Sequence, residues 1–337
     1  MTDRPTADRP AAHRAAADLT AQDGTVTGPA HVPDPTVVVE RASKWFGQKV
    51  AVSDVSCSFG PGVTGLLGPN GAGKTTMLRM LTGLILPSEG VVTVLGKPPR
   101  DDVSVYSQIG LVPEEDAVYG FLTATQYVEY AAKLAGVPNP EASAKAALTR
   151  VDLMEAAGRQ LSGFSKGMRQ RAKVAAALID EPQILILDEP LNGTDPVQRA
   201  HLISIFQTLG DAGHTVVVSS HVLEEVERMT HRVIAMVDGK LAAAGNVAAI
   251  RSAMTDIPYR VRVESNDPRA LAAALVRDDN INGVEFEDGS IHIETGDLRA
   301  LGTKLPALSR SLGVRITGFR PEDESLESVF RYLVRGR

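Results

Sequence analysis

The sequence predicts an α/β fold with a largely parallel β-sheet, because apolar runs of strand length alternate with stretches of helical pattern. The apolar runs occupy residues 109–112, 184–187, 215–218 and 233–237. Helical stretches separate most of them, for example residues 123–135, 141–157, 167–179 and 197–209. Earlier in the chain, residues 63–67 predict a buried strand that runs into a glycine-rich turn.

The first strands are predicted upstream of that turn. Residues 37–39 open a strand, and residues 50–59 alternate apolar and polar side chains as a half-buried strand does. Residues 1–34 hold almost no large apolar side chains, so they cannot bury enough surface to offset the entropy of ordering. We therefore expect a disordered tail over residues 1–34, with a docking arm as the alternative.

A larger unit is expected over residues 35–255 and a smaller one over residues 256–337. The smaller unit has strands predicted at 259–263, 284–286, 291–294 and 314–318, helices at 268–276 and 298–312, and a turn at Asp288 and Gly289. This β-α-β-β-α-β order is that of a ferredoxin-like α+β domain. A last helix is predicted at 325–334. The unit contains no group of residues whose types and spacing would indicate catalysis.

Composition limits the function classes. Of the 337 residues, 43% are hydrophobic and 23% are charged, as in an ordinary globular protein of roughly two domains. The net charge of -6, without a basic block, argues against a nucleic-acid partner. Cys57 is the one cysteine, so no intramolecular disulfide can form, which fits a reducing compartment.

No segment has the roughly 18 consecutive apolar residues that a membrane-spanning helix needs. The N-terminus also lacks the apolar core of a secretory signal. We therefore expect a soluble chain with no membrane span of its own, and any role at a membrane requires a partner.

The glycine-rich turn matches the phosphate-binding pattern G-x-x-x-x-G-K-[ST] between a strand and a helix. Its residues are Gly68, Pro69, Asn70, Gly71, Ala72, Gly73, Lys74, Thr75 and Thr76. Such glycines let backbone N–H groups surround phosphates at a helix N-terminus. Lys74 would reach the β- and γ-phosphates, and the Thr75 hydroxyl would bind Mg²⁺. The pattern predicts a nucleoside triphosphate site on a P-loop NTPase core, shared by GTPases, kinases and motors; a plain glycine-rich turn is the alternative.

Two carboxylates follow the apolar run at 184–187, at the end of a predicted buried strand. Asp188 is placed to hold Mg²⁺, directly or through water, and Glu189 to polarise the attacking water. The alternative is a strand that ends in a solvated acidic turn, which the phosphate-binding turn in the same domain makes less favoured.

Residues 164–171, Phe-Ser-Lys-Gly-Met-Arg-Gln-Arg, resemble the signature motif of ABC ATPases in the variant found in export members. Ser162 offers a second match to the motif. Spacing favours Ser165, because in the family the signature serine precedes the strand-end aspartate by about 23 positions, and Ser165 to Asp188 is 188 − 165 = 23. The resemblance implies that Ser165, Lys166 and Gly167 face the γ-phosphate bound by an opposite subunit.

Other positions match the family's motifs in order over residues 36–255. Asp195 closes a segment, residues 191–195, that resembles the loop crossing the dimer interface, although Thr194 replaces the usual apolar residue. His221 matches the switch histidine that senses the γ-phosphate. Phe46 matches the aromatic that stacks on adenine, with Trp45 or simple core packing as alternatives. Glu114 stands where the family has a glutamine that touches Mg²⁺ and relays contacts to the membrane subunit. A glutamate can still bind the metal, but it adds a negative charge and cannot donate a hydrogen bond at neutral pH.

The resemblance implies an ATPase core with an antiparallel β subdomain and a helical subdomain at roughly 120–180. It further implies ATP and Mg²⁺ as ligands, and a homodimer, or a heterodimer with a paralogous ATPase, that closes on ATP. An integral-membrane permease would be the partner, with the chain held in the cytoplasm on the inner face of the cell membrane. Export of a drug-like, lipid-like or ionic substrate rests on resemblance alone.

Three rival functions are less favoured. A non-transport ABC ATPase typically carries two ATPase cores or a long coiled coil, and this sequence has neither. A GTPase would need an Asn-Lys-x-Asp motif, which is missing from the sequence. A nucleotide-binding regulator without turnover would not need Lys74, Asp188, Glu189 and His221 together.

Overall fold

The computed structural model describes residues 30–116, 118–247, 250, 258–287 and 289–322. Most of the predicted tail, the predicted boundary near 255 and the predicted helix at 325–334 lie outside these residues. The described end of the tail contacts the first sheet, because Val32 N donates a hydrogen bond to Ser58 Oγ at 2.8 Å.

The central sheet has six strands in the order β5-β6-β7-β3-β8-β9. They are β3 (Gly62–Leu67), β5 (Ile109–Val112), β6 (Ile184–Asp188), β7 (Thr215–Ser220), β8 (Arg232–Val237) and β9 (Lys240–Asn246). All neighbouring pairs are parallel except β8 and β9. Strands β6 and β7 are buried along their whole length, which explains their uninterrupted apolar runs.

A three-stranded antiparallel sheet of order β2-β1-β4 forms the predicted β subdomain. Its strands are β1 (Val37–Phe46), β2 (Lys49–Phe59) and β4 (Glu89–Val94). The first helix, α1 (Lys74–Leu81), buries Met77, Leu78 and Leu81 in the same hydrophobic core as this sheet.

The predicted helical subdomain consists of α2 (Ala124–Leu134), α3 (Pro140–Arg150) and α4 (Lys166–Ala177). The prediction of one helix over 141–157 is wrong. Helix α3 ends at Arg150, and Asp152 has a φ of 56°. Leu153 N bonds Leu148 O at 2.9 Å, which satisfies a carbonyl of the last turn as helix C-terminal motifs do.

Two further helices follow strands β6 and β7 in the chain. Helix α5 spans Pro196–Asp211 and α6 spans Leu223–Met229. The sequence pattern did not predict α6, β4 or β9. Strand β9 has the sequence Lys-Leu-Ala-Ala-Ala-Gly-Asn, without the β-branched or aromatic residues that mark strands.

The C-terminal unit has its own antiparallel sheet, in the order β11-β12-β10-β13. Its elements are β10 (Tyr259–Ser265), α7 (Pro268–Leu275), β11 (Ile281–Glu287), β12 (Ser290–Thr295), α8 (Leu298–Leu312) and β13 (Ile316–Pro321). Its last strand begins two residues later than predicted. Leu271, Ile293 and Leu305 belong to a separate hydrophobic cluster, and this order of elements is the predicted ferredoxin-like one.

The sheet order confirms the predicted fold class and gathers the candidate residues. Parallel strands β3, β5, β6 and β7 end at one edge of the central sheet, with Asp188 level with Ser219 and Leu67 level with Ser220. The phosphate-binding turn follows β3, and Glu114, Glu189 and His221 follow the other three. None of the described helices combines the length and apolar character that a bilayer crossing requires.

Candidate nucleotide site

The turn between β3 and α1 has the backbone geometry of a phosphate cradle. Gly71 and Gly73 have φ values of 84° and 99°, which favour glycine. A Cβ at Gly73 would lie 2.4 Å from Ala51 O, so no other residue fits there. Helix α1 starts at Lys74, immediately after this turn, and so directs its N-terminus toward a ligand held by the turn.

The Lys74 ammonium contacts the beginning of the same turn. Its Nζ donates to Gly68 O at 2.7 Å and to Pro69 O at 3.3 Å, and the residue is buried. The charge is therefore held beside the phosphate-binding backbone by two carbonyl groups. A phosphate oxygen near the turn would meet a cation that needs little reorganisation.

The cradle opens on a cavity of about 350 Å³. It is lined by Lys49, Ala51, Asn70, Gly71, Ala72, Gly73, Lys74, Thr75, Thr76, Glu114, Asp188 and Glu189. The structure thus brings residues 70–76 of the predicted phosphate-binding turn and all three predicted metal ligands to one cavity. Lys49 and Ala51, from β2, were missed; their position beside the turn depends on how the β subdomain packs.

Oxygen atoms are what Mg²⁺ prefers as ligands, and Thr75, Glu114 and Asp188 bring a hydroxyl and two carboxylates to this cavity. No group of three or more His, Cys, Asp or Glu residues suited to a metal occurs among the described residues. The donor set therefore fits a magnesium ion that shares its ligands with a nucleotide and water, rather than a site built from protein alone.

Ser219 orients both acidic residues at the end of β6. Its hydroxyl donates to Asp188 Oδ1 at 2.5 Å and accepts a hydrogen bond from Glu189 N at 3.0 Å. Both Asp188 and Ser219 are buried, so this partner cannot be exchanged for water. Ser219 was not among the predicted site residues, because its only signal in the sequence is a serine just after a predicted apolar strand.

Glu189 and His221 form a pair at the edge of the cavity. Nδ1 of His221 lies 2.9 Å from Oε2 of Glu189, and the Glu189 side chain is almost fully buried while the ring of His221 is about half exposed. Burial raises the pKa of Glu189, and the hydrogen bond and charge of His221 oppose that rise. A carboxylate with a raised pKa, facing a phosphate cradle, is suited to accept a proton from water.

The backbone at Glu189 is unusual, with a φ of 49° in the left-handed region. A non-glycine residue in this region costs free energy, and the conformation persists only where the surrounding structure imposes it. Here the bond from Glu189 N to Ser219 and the contact with His221 impose it.

The loop that carries Glu114 is attached to α4. Lys173 Nζ donates to Pro113 O at 2.8 Å and to Glu115 O at 2.9 Å, so it binds the carbonyls on either side of Glu114. Burial lowers the pKa of Lys173, while Asp116 and other nearby carboxylates oppose this. Lys173 was not among the predicted site residues, because nothing in the local pattern shows that a lysine in α4 reaches a loop 58–60 residues away.

Ser165 begins α4, since its Oγ accepts a hydrogen bond from Met168 N at 3.2 Å. The competing Ser162 lies in a short 3₁₀ turn, Leu161–Gly163, and begins no α-helix. Asp195 begins α5 in the same way, accepting from Val197 N and Gln198 N at 3.0 Å each.

Several predicted site residues do not line the cradle cavity of this chain. They are Phe46, Gly68, Pro69, Ser165, Lys166, Gly167, Asp195 and His221. Gly68 and Pro69 still bind Lys74 through their carbonyls, and His221 contacts Glu189. The signature residues and Asp195 have no such link to the cavity.

Phe46 and Trp45 lie at the end of β1 and are 52% and 40% exposed. The alternative that Phe46 is a core residue is therefore wrong. Lys44 Nζ lies 5.3 Å from the centre of the Phe46 ring. Both rings are partly exposed at the end of β1, so both are candidates to stack on a planar ligand.

Comparisons with known proteins agree with this geometry. The family model described as ABC transporter matches residues 52–192. The chain is 32% identical to the linearmycin resistance ATP-binding protein LnrL of Bacillus subtilis over 300 residues, 86% of this chain and 96% of that protein. It is 31% identical to the bacitracin transport ATP-binding protein BcrA of Enterococcus faecalis over 303 residues, 89% and 96% of the two chains.

Among solved structures, the chain is similar to an ATP-binding subunit of an ABC transporter. The two share 27% sequence identity with a TM-score of 0.59, over 64% of this chain and 92% of the other. The relatives are similar over nearly their whole length, and the phosphate cradle, the paired carboxylates and the helix-starting Ser165 lie within the matched family model. The chain therefore belongs to the ATP-binding proteins of the ABC transporter family and is an ATPase.

Proposed function

We propose that this chain powers export of a drug-like, lipid-like or ionic substrate through a separate integral-membrane permease, by closing as a dimer on ATP and Mg²⁺. The cradle cavity carries the proposal: it joins the phosphate-binding turn, three oxygen ligands for Mg²⁺ and the Glu189 carboxylate. Turnover of ATP by the purified chain, dependent on Mg²⁺, is the first test. A chain that binds ATP without cleaving it would support the rival, a nucleotide-binding regulator.

Within the site, each residue has a proposed role. Lys74 and the backbone of residues 68–76 bind the β- and γ-phosphates, while Thr75, Glu114 and Asp188 would hold Mg²⁺. A bound Mg²⁺ neutralises charge on the phosphate oxygens. Glu189 accepts a proton from the water that attacks the γ-phosphorus, as the bond to the leaving ADP oxygen breaks. His221 orients Glu189 and contacts the γ-phosphate.

The dimer is proposed because one chain holds two separate halves of a nucleotide site. Ser165, Lys166, Gly167 and Asp195 lie outside the cradle cavity, although Ser165 starts a helix and so offers a place for an anion. In a head-to-tail pair, the signature residues of each chain would close the cradle of the other. The partner is a second copy or a paralogous ATPase.

A permease is proposed to dock on the helical subdomain near Glu114. Tyr119 forms an aromatic cluster with Phe121 and Tyr130, its ring centre lying 6.0 Å from each of theirs, and Phe121 is 71% exposed. Leu134, on the same helix as Tyr130, is also 71% exposed. Apolar clusters this exposed mark interaction surfaces. Docking would hold the chain at the cytoplasmic face of the membrane, with no nucleic acid involved.

Co-purification tests this surface. Phe121→Asp should lower recovery of the co-expressed permease several-fold, while ATP turnover by the isolated chain stays unchanged. Phe286→Asp is a matched control, because Phe286 is also exposed, at 58%, but lies in the C-terminal sheet. Equal recovery of the permease with Phe121→Asp and with the unchanged chain would contradict the proposed surface. Transport by the recovered complex in reconstituted vesicles would then test export.

Export is favoured by two relatives whose names concern linearmycin resistance and bacitracin transport. The C-terminal unit, with its own core and no catalytic cluster among its described residues, is proposed to stabilise the dimer or regulate the ATPase. We keep the proposed division of the chain at 1–34, 35–255 and 256–337.

A further inference from the structure

Arg199 and Glu225 form an ion pair between α5 and α6. Arg199 Nε lies 3.1 Å from Glu225 Oε1, and only 9% of the Glu225 side chain is exposed, against 36% for Arg199. A buried carboxylate without a partner is costly, so the pair is held together once α5 and α6 are packed. Neither residue lines the cradle cavity.

The second oxygen of Glu225 holds the turn that carries His221. Ser220 Oγ donates to Glu225 Oε2 at 3.2 Å and accepts a hydrogen bond from Val222 N at 3.0 Å. His221 lies between Ser220 and Val222 in the chain. The position of the His221 backbone therefore depends on a hydroxyl that Glu225 holds in place.

The other end of Arg199 contacts the 191–195 loop. Its Nη2 donates to Thr194 O at 3.3 Å. The loop is compact there, since Thr194 Oγ1 donates to Leu191 O at 2.6 Å. The Arg199 guanidinium group thus makes two contacts. It donates to the 191–195 loop, which follows Glu189, and it pairs with Glu225, which holds the turn of His221.

The same loop packs against the start of α4. A Cβ on Gly167 would lie 2.8 Å from Gly193 O, and a Cβ on Gly193 would lie 2.6 Å from the Lys166 side chain. With no room between them, a displacement of the signature residues would displace the loop, and the loop's Thr194 carbonyl is bonded to Arg199.

We propose that Arg199 and Glu225 are positioning residues, which transmit the position of the 191–195 loop to His221. This inference rests on the proposed function, in which that loop and the signature residues meet a second chain. When the second chain engages the loop, the pair holds the 220–222 turn so that His221 keeps its bond to Glu189. Loss of the pair should therefore slow hydrolysis without weakening ATP binding.

Steady-state ATPase kinetics test this. Glu225→Gln keeps the size of the side chain and an oxygen that can accept from Ser220, but removes the charge that faces Arg199. We expect kcat to fall about tenfold, since small misplacements of reacting groups have effects of that order or larger. The KM for ATP should change less than about twofold, because only the hydrolytic step loses stabilisation. Arg199→Met should likewise lower kcat with little change in KM. Arg199→Lys keeps the positive charge, so its kcat should be close to that of the unchanged chain.

The double variant Arg199→Met/Glu225→Gln should be no slower than the slower single variant, because residues that act through each other are not additive. Gln207→Ala is the matched control. Gln207 Nε2 donates to Arg228 O at 2.7 Å, so it also joins α5 to the end of α6, but away from the 191–195 loop. It should lower the melting temperature about as much as Glu225→Gln while leaving kcat and KM unchanged.

Wild-type kcat in Glu225→Gln and Arg199→Met would overturn the inference. So would multiplying effects in the double variant, a rise in KM that matches the fall in kcat, or an equal slowing by Gln207→Ala. These outcomes differ from failure of the proposed function, in which the unchanged chain itself would not hydrolyse ATP.

Discussion

Nδ1 of His221 lies 2.9 Å from Oε2 of Glu189, so the residues that follow β7 and β6 meet at one edge of the central sheet. The two residues are 32 positions apart in the chain. Their strands are parallel neighbours, with Asp188 level with Ser219, which brings the positions after them together. This contact supports a shared role in ATP hydrolysis.

Glu189→Gln should trap an ATP-bound dimer. Glutamine keeps the shape of the side chain but cannot accept the proton of the attacking water. ATP should bind, close two chains and stay uncleaved, with hydrolysis at least about 100-fold slower. Light scattering with saturating Mg·ATP should then show a dimer. Hydrolysis at the wild-type rate would show that Glu189 is not the base.

Ser165→Arg, added to Glu189→Gln, should return the protein to a monomer, because a bulky cation would fill the proposed anion site at the start of α4. Circular dichroism must show that this double variant is folded. A folded double variant that still dimerises with ATP would contradict the proposed position of Ser165 at the interface.

Acidification should protonate Glu189, which has two consequences. The rate of ATP hydrolysis should fall, and the folded state should no longer carry the cost of a buried charge at Glu189. Because burial raises the pKa of Glu189, activity should fall with pH before an ordinary glutamate of pKa 4.5 would protonate. The raised value also means that the folded state prefers the protonated form. The stabilising contribution of Glu189 is therefore present below the pKa that it has in the unfolded chain. That contribution is lost as the pH rises through the pKa of Glu189 in the folded state.

Glu189→Gln is uncharged at every pH, so it should melt at a higher temperature than the unchanged chain at neutral pH. That difference should shrink toward zero below about pH 4.5. Thermal unfolding over a pH series measures it. An equal melting temperature at neutral pH, or a gap that widens on acidification, would contradict the burial of a charged Glu189.

Lys74→Ala should lower the rate of ATP turnover at least about 100-fold, because loss of one group that stabilises charge in the transition state commonly has an effect of that size. The carbonyls of Gly68 and Pro69 also lose their donor, which should cost about 1 kcal/mol in the free energy of unfolding. Lys97→Ala is the control, since Lys97 pairs with Asp102 in an exposed position and should leave turnover intact. Near-normal ATPase activity in Lys74→Ala would contradict the assignment of this turn.

Ending the chain near residue 255 should leave ATP affinity within about threefold of normal while changing dimerisation or the basal rate. The C-terminal unit has its own sheet and its own hydrophobic cluster, so its removal should not expose the core around the cradle. Titration with a fluorescent nucleotide and sedimentation measure the two effects. Loss of nucleotide affinity would show that the chain does not divide near this position.

The sequence alone was sufficient for the α/β class, the phosphate-binding turn and the candidate pair Asp188 and Glu189. These depend on local order: apolar runs of strand length, glycines at a strand–helix turn, and acidic residues directly after a strand. Local order also explains the errors. Strand β9 lacks β-branched residues, and the break after Arg150 follows from the left-handed backbone of Asp152, which helical periodicity does not reveal.

Only the tertiary structure decided which side chains serve the candidate site from a distance. Ser219 reaches Asp188 from 31 residues away, and Lys173 reaches the loop of Glu114 from 58–60 residues away. Arg199 and Glu225 meet because α5 and α6 pack together. Such contacts depend on the strand order β5-β6-β7-β3-β8-β9, and hydrophobic periodicity shows which residues are buried but not which strands become neighbours.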